Sequence, residues 1–451
     1  MKIETYYEIL DYIKNIINGT EFEGHVYSVG GCERDKHLCS DTIKDIDIVV
    51  DLMDGGIRFA NWLESNGYTK GSVVVYENFG TAMFKLKEFP NEEIETVHTR
   101  KEIYRDKNSR NPETYFGTIY DDCFRRDFTI NALYHNISTG EDLDLTGLGL
   151  TDLEYGIIRT CNEPDVTMND DSLRIMRACR FSSKLGFKID NDVFNAMKKN
   201  IERLKIISQE RITDEFNKIL MSGHPYIGLT YLDDIGFFDT ITPYLFTYEN
   251  GEKNDDAKFG AFETVLEIVS KYEYDLETLL GGFVQNWYCE GKQRNKFLNE
   301  FKYSNDTINK VNFYAMKALP FELACIWKLG SKIREIAYEC KTIDDFNHIV
   351  SIAKSTPKLK DGNFVFEFIR NIDIEEMIGY KLPVNGDDIM EIRGIGPCKE
   401  IKTIISHLLE CAFMNPKITK DECVEIIKNV KLKNILDSEE CMLDNETDRI
   451  K

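Results

Sequence analysis

Asp45-Ile46-Asp47-Ile48 alternates acidic and apolar side chains. In an extended strand this puts both carboxylates on one face, about 7 Å apart, with the isoleucines anchored on the other. Two acids held that close repel unless something neutralises them, and a divalent cation with oxygen ligands does so. Upstream, the β-rich run His25 to Val29 leads into Gly30-Gly31-Cys32-Glu33-Arg34-Asp35. A Gly-Gly turn lets backbone N–H groups approach an anion, and Arg34 adds positive charge beside it. A solvated strand edge would explain the first pattern alone, and a plain turn the second. Together, between two β-like runs, they describe a site for a phosphate donor and a metal ion.

Three further groups carry chemistry. Glu93 to Val97 alternates and presents Glu95, which is either a third carboxylate on a neighbouring strand or a solvated acid. Arg125, Arg126 and Asp127 interrupt an apolar stretch, where charge is costly without partners. A nucleotide polyphosphate and a ribose hydroxyl would satisfy them, as would a surface salt-bridge cluster. Asp171, Arg174, Arg177 and Arg180 recur at steps of three and form a polar stripe opposite Ile175, Met176 and Cys179. Without other motifs, that stripe reads equally as a solvated, Asp–Arg-paired face.

The elements that must position these groups change character along the chain. Residues 1–18 form an amphipathic helix by periodicity, closed by Asn18-Gly19. Strands are expected at 25–29, 45–50, 72–76, 81–87 and 93–97, with a helix at 57–66. Residues 99–116 are charged and poor in apolar side chains, which reads as a mobile surface loop able to close over a substrate. Asp142 to Thr160 is turn-rich and closes this first domain. From about residue 168 the period is helical: one helix across 170–181 stopped by Gly186, then 209–221, 224–345, 373–378, 386–392 and 399–412. The turn Arg393 to Pro397 is either a plain helix start or a donor of N–H groups to a phosphate. The acidic segment 435–451 reads as frayed. The fold class is α+β, a mixed-sheet first third followed by an all-helical remainder.

A chain of 451 residues, 42% hydrophobic and 30% charged, supports about three domains with ample core. Its formal net charge of −22 argues against a generic nucleic-acid binder, although cations cluster at 198–199, 292–296, 354–360 and 428–433. It contains no run of about 18 apolar residues, so no membrane span is expected. Twelve cysteines without CxxC pairs point to free thiols in a reducing, cytoplasmic setting.

In order, these motifs resemble those of the class II nucleotidyltransferases, the family of CCA-adding tRNA nucleotidyltransferases and bacterial poly(A) polymerases. Gly30-Gly31-Cys32-Glu33-Arg34-Asp35 with Asp45-Ile46-Asp47 is similar to their GGxVRD…DxD motif. Arg125-Arg126-Asp127 through Asn131-Ala132 matches RRDxxxNA. Asp170-Asp171-Ser172-Leu173-Arg174, followed by Arg177 and Arg180-Phe181, is similar to EDxxR. Leu382 to Met390 resembles a segment in the tail of the bacterial CCA-adding enzymes. Glu33 stands where the family has valine and adds negative charge beside the turn. Asp170 replaces a glutamate, and the Asp35-to-Asp45 spacing is about one residue longer than usual.

The resemblance implies a nucleotidyltransferase head at 1–150, a helical neck at 151–222, a body at 223–335 and a tRNA-binding tail at 336–451, as monomer or homodimer. It implies growth of a tRNA 3′ end from CTP and ATP, with Mg²⁺ on Asp45 and Asp47 and Glu95 completing the catalytic set. Gly30, Gly31, Arg34, Arg125, Arg126, Asp127, Asn131, Arg177 and Arg180 would then bind nucleotide, while Asp171 and Arg174 choose the base. Alternatives are a poly(A) polymerase, a CC-only or A-only enzyme, a non-catalytic RNA-binding relative, and a transferase acting on a small hydroxylated molecule.

Overall fold

A computed structural model describes residues 1–77, 80–103, 113–248, 250–285, 288–356, 369 and 372–430. The chain forms two compact units. One comprises residues 1–244 with 300–302, and the other the remainder.

The first unit begins with helix α1 (Ile3–Ile17), whose Tyr6, Ile9, Leu10, Ile13 and Ile17 are buried at helical spacing. Strand β1 (Val26–Val29) runs into Gly30, which takes φ +86° and opens the short helix α2 (Gly31–His37). There follow β2 (Ile46–Val50), α3 (Gly55–Ser65), β3 (Val74–Tyr76), β4 (Thr81–Phe84) and β5 (Ile94–His98). Strands β8 (Leu133–Asn136) and β9 (Asp142–Asp144) complete a seven-stranded mixed sheet in the order β3-β4-β5-β2-β1-β8-β9. Within this sheet, among the described residues, only β2 and β5 pair in parallel; its other ladders are antiparallel. One sheet face packs Ile46, Ile48 and Val50 with Phe22, Phe59, Leu63 and α1. On the other, Val29 and Val49 meet Cys123, Ala132 and Tyr134.

Residues 100–103 and 113–116 are not a loop, as their charge suggested. They pair as strands β6 (Arg100–Ile103) and β7 (Glu113–Phe116). Backbone pairing overrides composition there; residues 104–112 lie outside the described residues. Helix α4 (Ile119–Phe124), capped reciprocally by Thr118 and Asp121, leads into the arginine pair.

The helical part begins earlier than expected: a short helix at Gly149–Tyr155 stands in the stretch read as turn-rich, and the helix expected across 170–181 comes in two pieces, α5 (Pro164–Asp170) and α6 (Leu173–Leu185). Asp171 lies in the break, with extended dihedrals of φ −133° and ψ 100°. It is therefore off the helix that carries Arg174, Arg177 and Arg180, and its Oδ1 accepts a hydrogen bond from Leu173 N at 3.1 Å. The acid serves the helix start, which periodicity alone did not reveal. Helix α7 (Gln209–Leu220) carries Glu215.

The second unit is helical throughout its described elements, from Asp255–Lys271 to Lys420–Asn429. Residues 373–378 are irregular, with a turn over 375–379, rather than the expected helix: the stretch is short and ends at Gly379, whose φ is +72°. The cation runs ending at 360 and 433, and the segment 435–451, fall partly or wholly outside the described residues. Among the described residues no helix is long and apolar enough to cross a membrane.

Candidate active site

The β1–β2 register sets the site. Ser28 pairs with Ile48, so two residues further along β1 the chain reaches Gly30 beside the start of β2. A Cβ on Gly30 would stand 3.4 Å from Asp47 Oδ2 and 3.6 Å from Arg126 Nη1. With positive φ and no side chain, Gly30 lets the carboxylate and the guanidinium approach the same turn.

A cavity of about 680 Å³ opens there. Gly30, Gly31, Arg34, Asp45, Asp47, Arg126, Asp127, Asn131, Arg177 and Arg180 all line it. Asp45 precedes β2 and is exposed; Asp47 is within the strand and half-buried. Burial, opposed by Arg126 and reinforced by Glu95 and Asp45, raises the Asp47 carboxyl to about 6. Glu95 is the register partner of Asp47 across the parallel β2–β5 pair, and its side chain is exposed. Carboxylates alone, crowded and one of them reluctant to ionise, make a donor set that fits a hard divalent cation such as Mg²⁺.

A hydrogen-bonded chain joins three of the sequence motifs. Arg34 Nη1 donates to Asn131 Oδ1 at 2.7 Å, and Asn131 Nδ2 donates to Asp127 Oδ1 at 3.1 Å. Arg177 Nε donates to Asp127 Oδ2 at 2.8 Å. Burial pushes the Asp127 carboxyl up, but Arg177 and Asn131 outweigh it and hold it at about 2. The ring of Phe181 lies 5.3, 5.4 and 4.5 Å from the guanidinium carbons of Arg34, Arg177 and Arg180. Glu215 on α7 anchors Arg180 Nε at 2.8 Å. Three arginines fixed around one ring form a cationic wall suited to a polyphosphate.

Arg125 and Arg126 part company. Arg126 faces the cavity while its Nε and Nη2 donate to Asp122 Oδ2 at 3.1 and 3.0 Å. Arg125 turns to the other Asp122 oxygen, with Nη2 at 2.5 Å, and to Glu102. Tyr134 donates its hydroxyl to Asp122 and accepts from Arg126 Nε. Burial pushes the Asp122 carboxyl up, yet the two arginines hold it well below the usual carboxylate range. Arg125 and Arg174 line a second, smaller cavity of about 160 Å³ with Phe124, Asn162 and Asp170. Arg174 donates to the carbonyls of Arg125 (2.6 Å) and Thr167 (3.4 Å). Asp171 lines neither cavity and pairs with Arg211 at 3.4 Å.

Glu33 does not face the glycine turn's cavity, as its neighbours in sequence suggested. It is wholly buried on the opposite side of α2. Sequence reading also missed Asp122, Tyr134 and Glu215, along with Lys44, Lys184 and Lys218 in the cavity lining. Asp122 had one local signal, its place four residues before Arg126.

A family model described as "Poly A polymerase head domain" matches residues 26–159, and one described as "Probable RNA and SrmB- binding site of polymerase A" matches 186–248. The CCA-adding enzyme of Limosilactobacillus reuteri is 33% identical over 69% of this chain and 72% of its own. That of Ligilactobacillus salivarius is 30% identical over 90% and 92%. Among solved structures, the Bacillus stearothermophilus CCA-adding enzyme in complex with CTP superposes with a TM-score of 0.70 at 19% identity, covering 98% of this chain and 100% of that one. The Thermotoga maritima CCA-adding enzyme complexed with tRNA gives 0.66 at 20% identity, covering 94% of each. These two likenesses show the shared fold.

Proposed function

Because the chain belongs to the family of CCA-adding enzymes, we propose that it adds C, C and A to the 3′ end of tRNA from CTP and ATP, with no nucleic-acid template. One observation carries this reading: Asp45 and Asp47 share a single cavity with Arg34, Arg126, Arg177 and Arg180. Opposite charges lining one space suit a nucleotide triphosphate and its cation.

Asp45 and Asp47, with Glu95 beside them, would hold Mg²⁺, which supplies charge neutralisation and activates the attacking 3′-hydroxyl. Gly31 and Arg34 grip the triphosphate, and Arg126, Arg177 and Arg180 add positive charge along it. Asp127 orients Arg177 and Asn131 and stands at the sugar. Asp171 and Arg174 choose the base. A carboxylate accepts from an exocyclic amine, and a guanidinium donates to the neighbouring ring nitrogen. Cytosine and adenine both offer that pair on their pairing edges, whereas uracil and guanine put a carbonyl where the amine should be. Facing Asp171 with a carbonyl costs about 1–3 kcal/mol for each unsatisfied group. Reading a base this way requires Asp171 to leave Arg211 and the Leu173 amide, and Arg174 to exchange its two backbone carbonyls for the base edge.

Incubation with tRNA lacking its last three nucleotides, plus labelled CTP and ATP, tests the proposal. A product three nucleotides longer, ending in A and requiring a divalent cation, is expected. Long A-tails would instead support poly(A) synthesis, and no extension at all would overturn the reading.

A further inference from the structure

Helix α2 has two faces. Gly31, Arg34 and Asp35 line the cavity, while Glu33 and Lys36 point away from it. One Glu33 carboxylate oxygen accepts from Tyr6 on α1 and Ser28 on β1; the other lies 2.6 Å from Lys36 Nζ. Lys36 Nζ also lies 2.8 Å from Asp142 Oδ1 on β9 and 3.4 Å from His135 Nδ1 on β8. The Glu33 and Lys36 side chains are 0% and 8% exposed. Carboxylate and imidazole atoms of Glu33, His135 and Asp142 converge closely enough to hold a metal ion. The lysine ammonium already stands among them, so the cation of this cluster is Lys36.

A buried ion pair gives little net stability compared with a well-packed apolar pair. What it does add is direction. A seven-residue helix cannot hold its own pose, and here its far face is tied to α1, β1 and β9 by bonds of fixed geometry. On the near face Arg34 is fixed by Asn131 and Phe181. Any slide of α2 is transmitted to Gly31 and Arg34. We infer that Glu33 and Lys36 are positioning residues for nucleotide binding, a buried ion pair that sets the pose of Gly31 and Arg34 in the cavity. This rests on the reading of that cavity as the nucleotide site.

The test compares Tyr6→Phe, Lys36→Met and the double variant Glu33→Val/Lys36→Met in the full chain. Tm, kcat and KM for CTP, ATP and tRNA are measured, together with hydrogen exchange at the amides of residues 31–37. Lys36→Met should raise KM for both nucleotides about tenfold, with little change in kcat or in KM for tRNA, because ground-state grip is what misplacement removes. Tyr6→Phe should do the same more mildly. The decisive variant is the double one. An apolar pair should restore Tm but not direction, so nucleotide KM stays raised and α2 amides exchange faster. Nucleotide KM within about twofold of wild type in the double variant, or KM that simply follows Tm through the series, overturns the inference. If wild type extends no tRNA while Lys36→Met still loosens α2, the nucleotide reading of the cavity fails and the pose-setting pair stands.

Discussion

Asp47 on β2 and Glu95 on β5 are register partners across the sheet's parallel strand pair. Their side chains therefore leave the same face, and Glu95 helps raise the Asp47 carboxyl to about 6, after burial itself and against Arg126. Asp47 is thus costly to the empty fold, and that strain is what a cation would relieve.

Asp47→Asn should reduce nucleotide incorporation by about 10³-fold or more while keeping the fold, since a ligand to the cation is removed. The folded-state pKa lies above the unfolded value. The stability Asp47 contributes is therefore present at low pH and lost as pH rises through about 6. In chelator, the Asn variant should melt higher than wild type at pH 8, by at most about 3 kcal/mol, with the gain fading toward pH 4. Thermal melts across that range check it; near-normal turnover in the variant, or a lower Tm at pH 8, would count against the assignment.

Glu95→Gln separates a ligand from a bystander. If Glu95 completes the carboxylate set, the variant should need about 10–100-fold more Mg²⁺ for half-maximal rate and recover part of its activity at saturating metal. A titration curve that overlays wild type would leave Glu95 a solvated acid.

Much of this site could be read from residue types, and the reasons differ by element. Period-two alternation placed Asp47 and Glu95 on strands, because a half-buried sheet enforces that period. The glycine pair was legible because close approach of Asp47 and Arg126 leaves no room for a side chain at Gly30. What could not be read was partnership at a distance. Glu215 reaches Arg180 from another helix, and Glu33 buries itself against Tyr6 from the far end of α1. The step-of-three stripe misplaced Asp171 because a helix break two residues long leaves spacing intact while changing direction. Charge density at 99–116 concealed the pairing of 100–103 with 113–116, which is made by the backbone.

Asp122, missed at first, is the acid that both arginines of the pair share. It is 0% exposed, and Asp122→Asn would remove the carboxylate paired with Arg126 and leave Arg125 with Glu102 alone. Destabilisation of about 3–5 kcal/mol is expected near neutral pH, with a weaker grip on nucleotide through Arg126. Because its folded-state pKa is depressed, the stability it provides is present above the unfolded value and lost as pH falls through the folded one. Wild type should therefore lose stability steeply below about pH 4 and the variant much less so. Denaturant melts at pH 7 and pH 3 decide it: equal losses at both would show that Asp122 is not held ionised by the arginine pair.

Arg174→Ala addresses the choice of base. The guanidinium spans from α6 to the Arg125 carbonyl, next to the arginine that faces the larger cavity. If Arg174 reads the base edge, its loss should narrow the preference for CTP and ATP over UTP and GTP by about tenfold or more, as expected for one charged hydrogen bond. If it only braces α6 against the Arg125 carbonyl, Tm should fall while the ratios among the four nucleotides hold. Competition among all four on a tRNA lacking its terminal nucleotides, read by sequencing the products, distinguishes the two. Unchanged ratios would confine Arg174 to a structural part and leave the selection of C and A to side chains of the larger cavity.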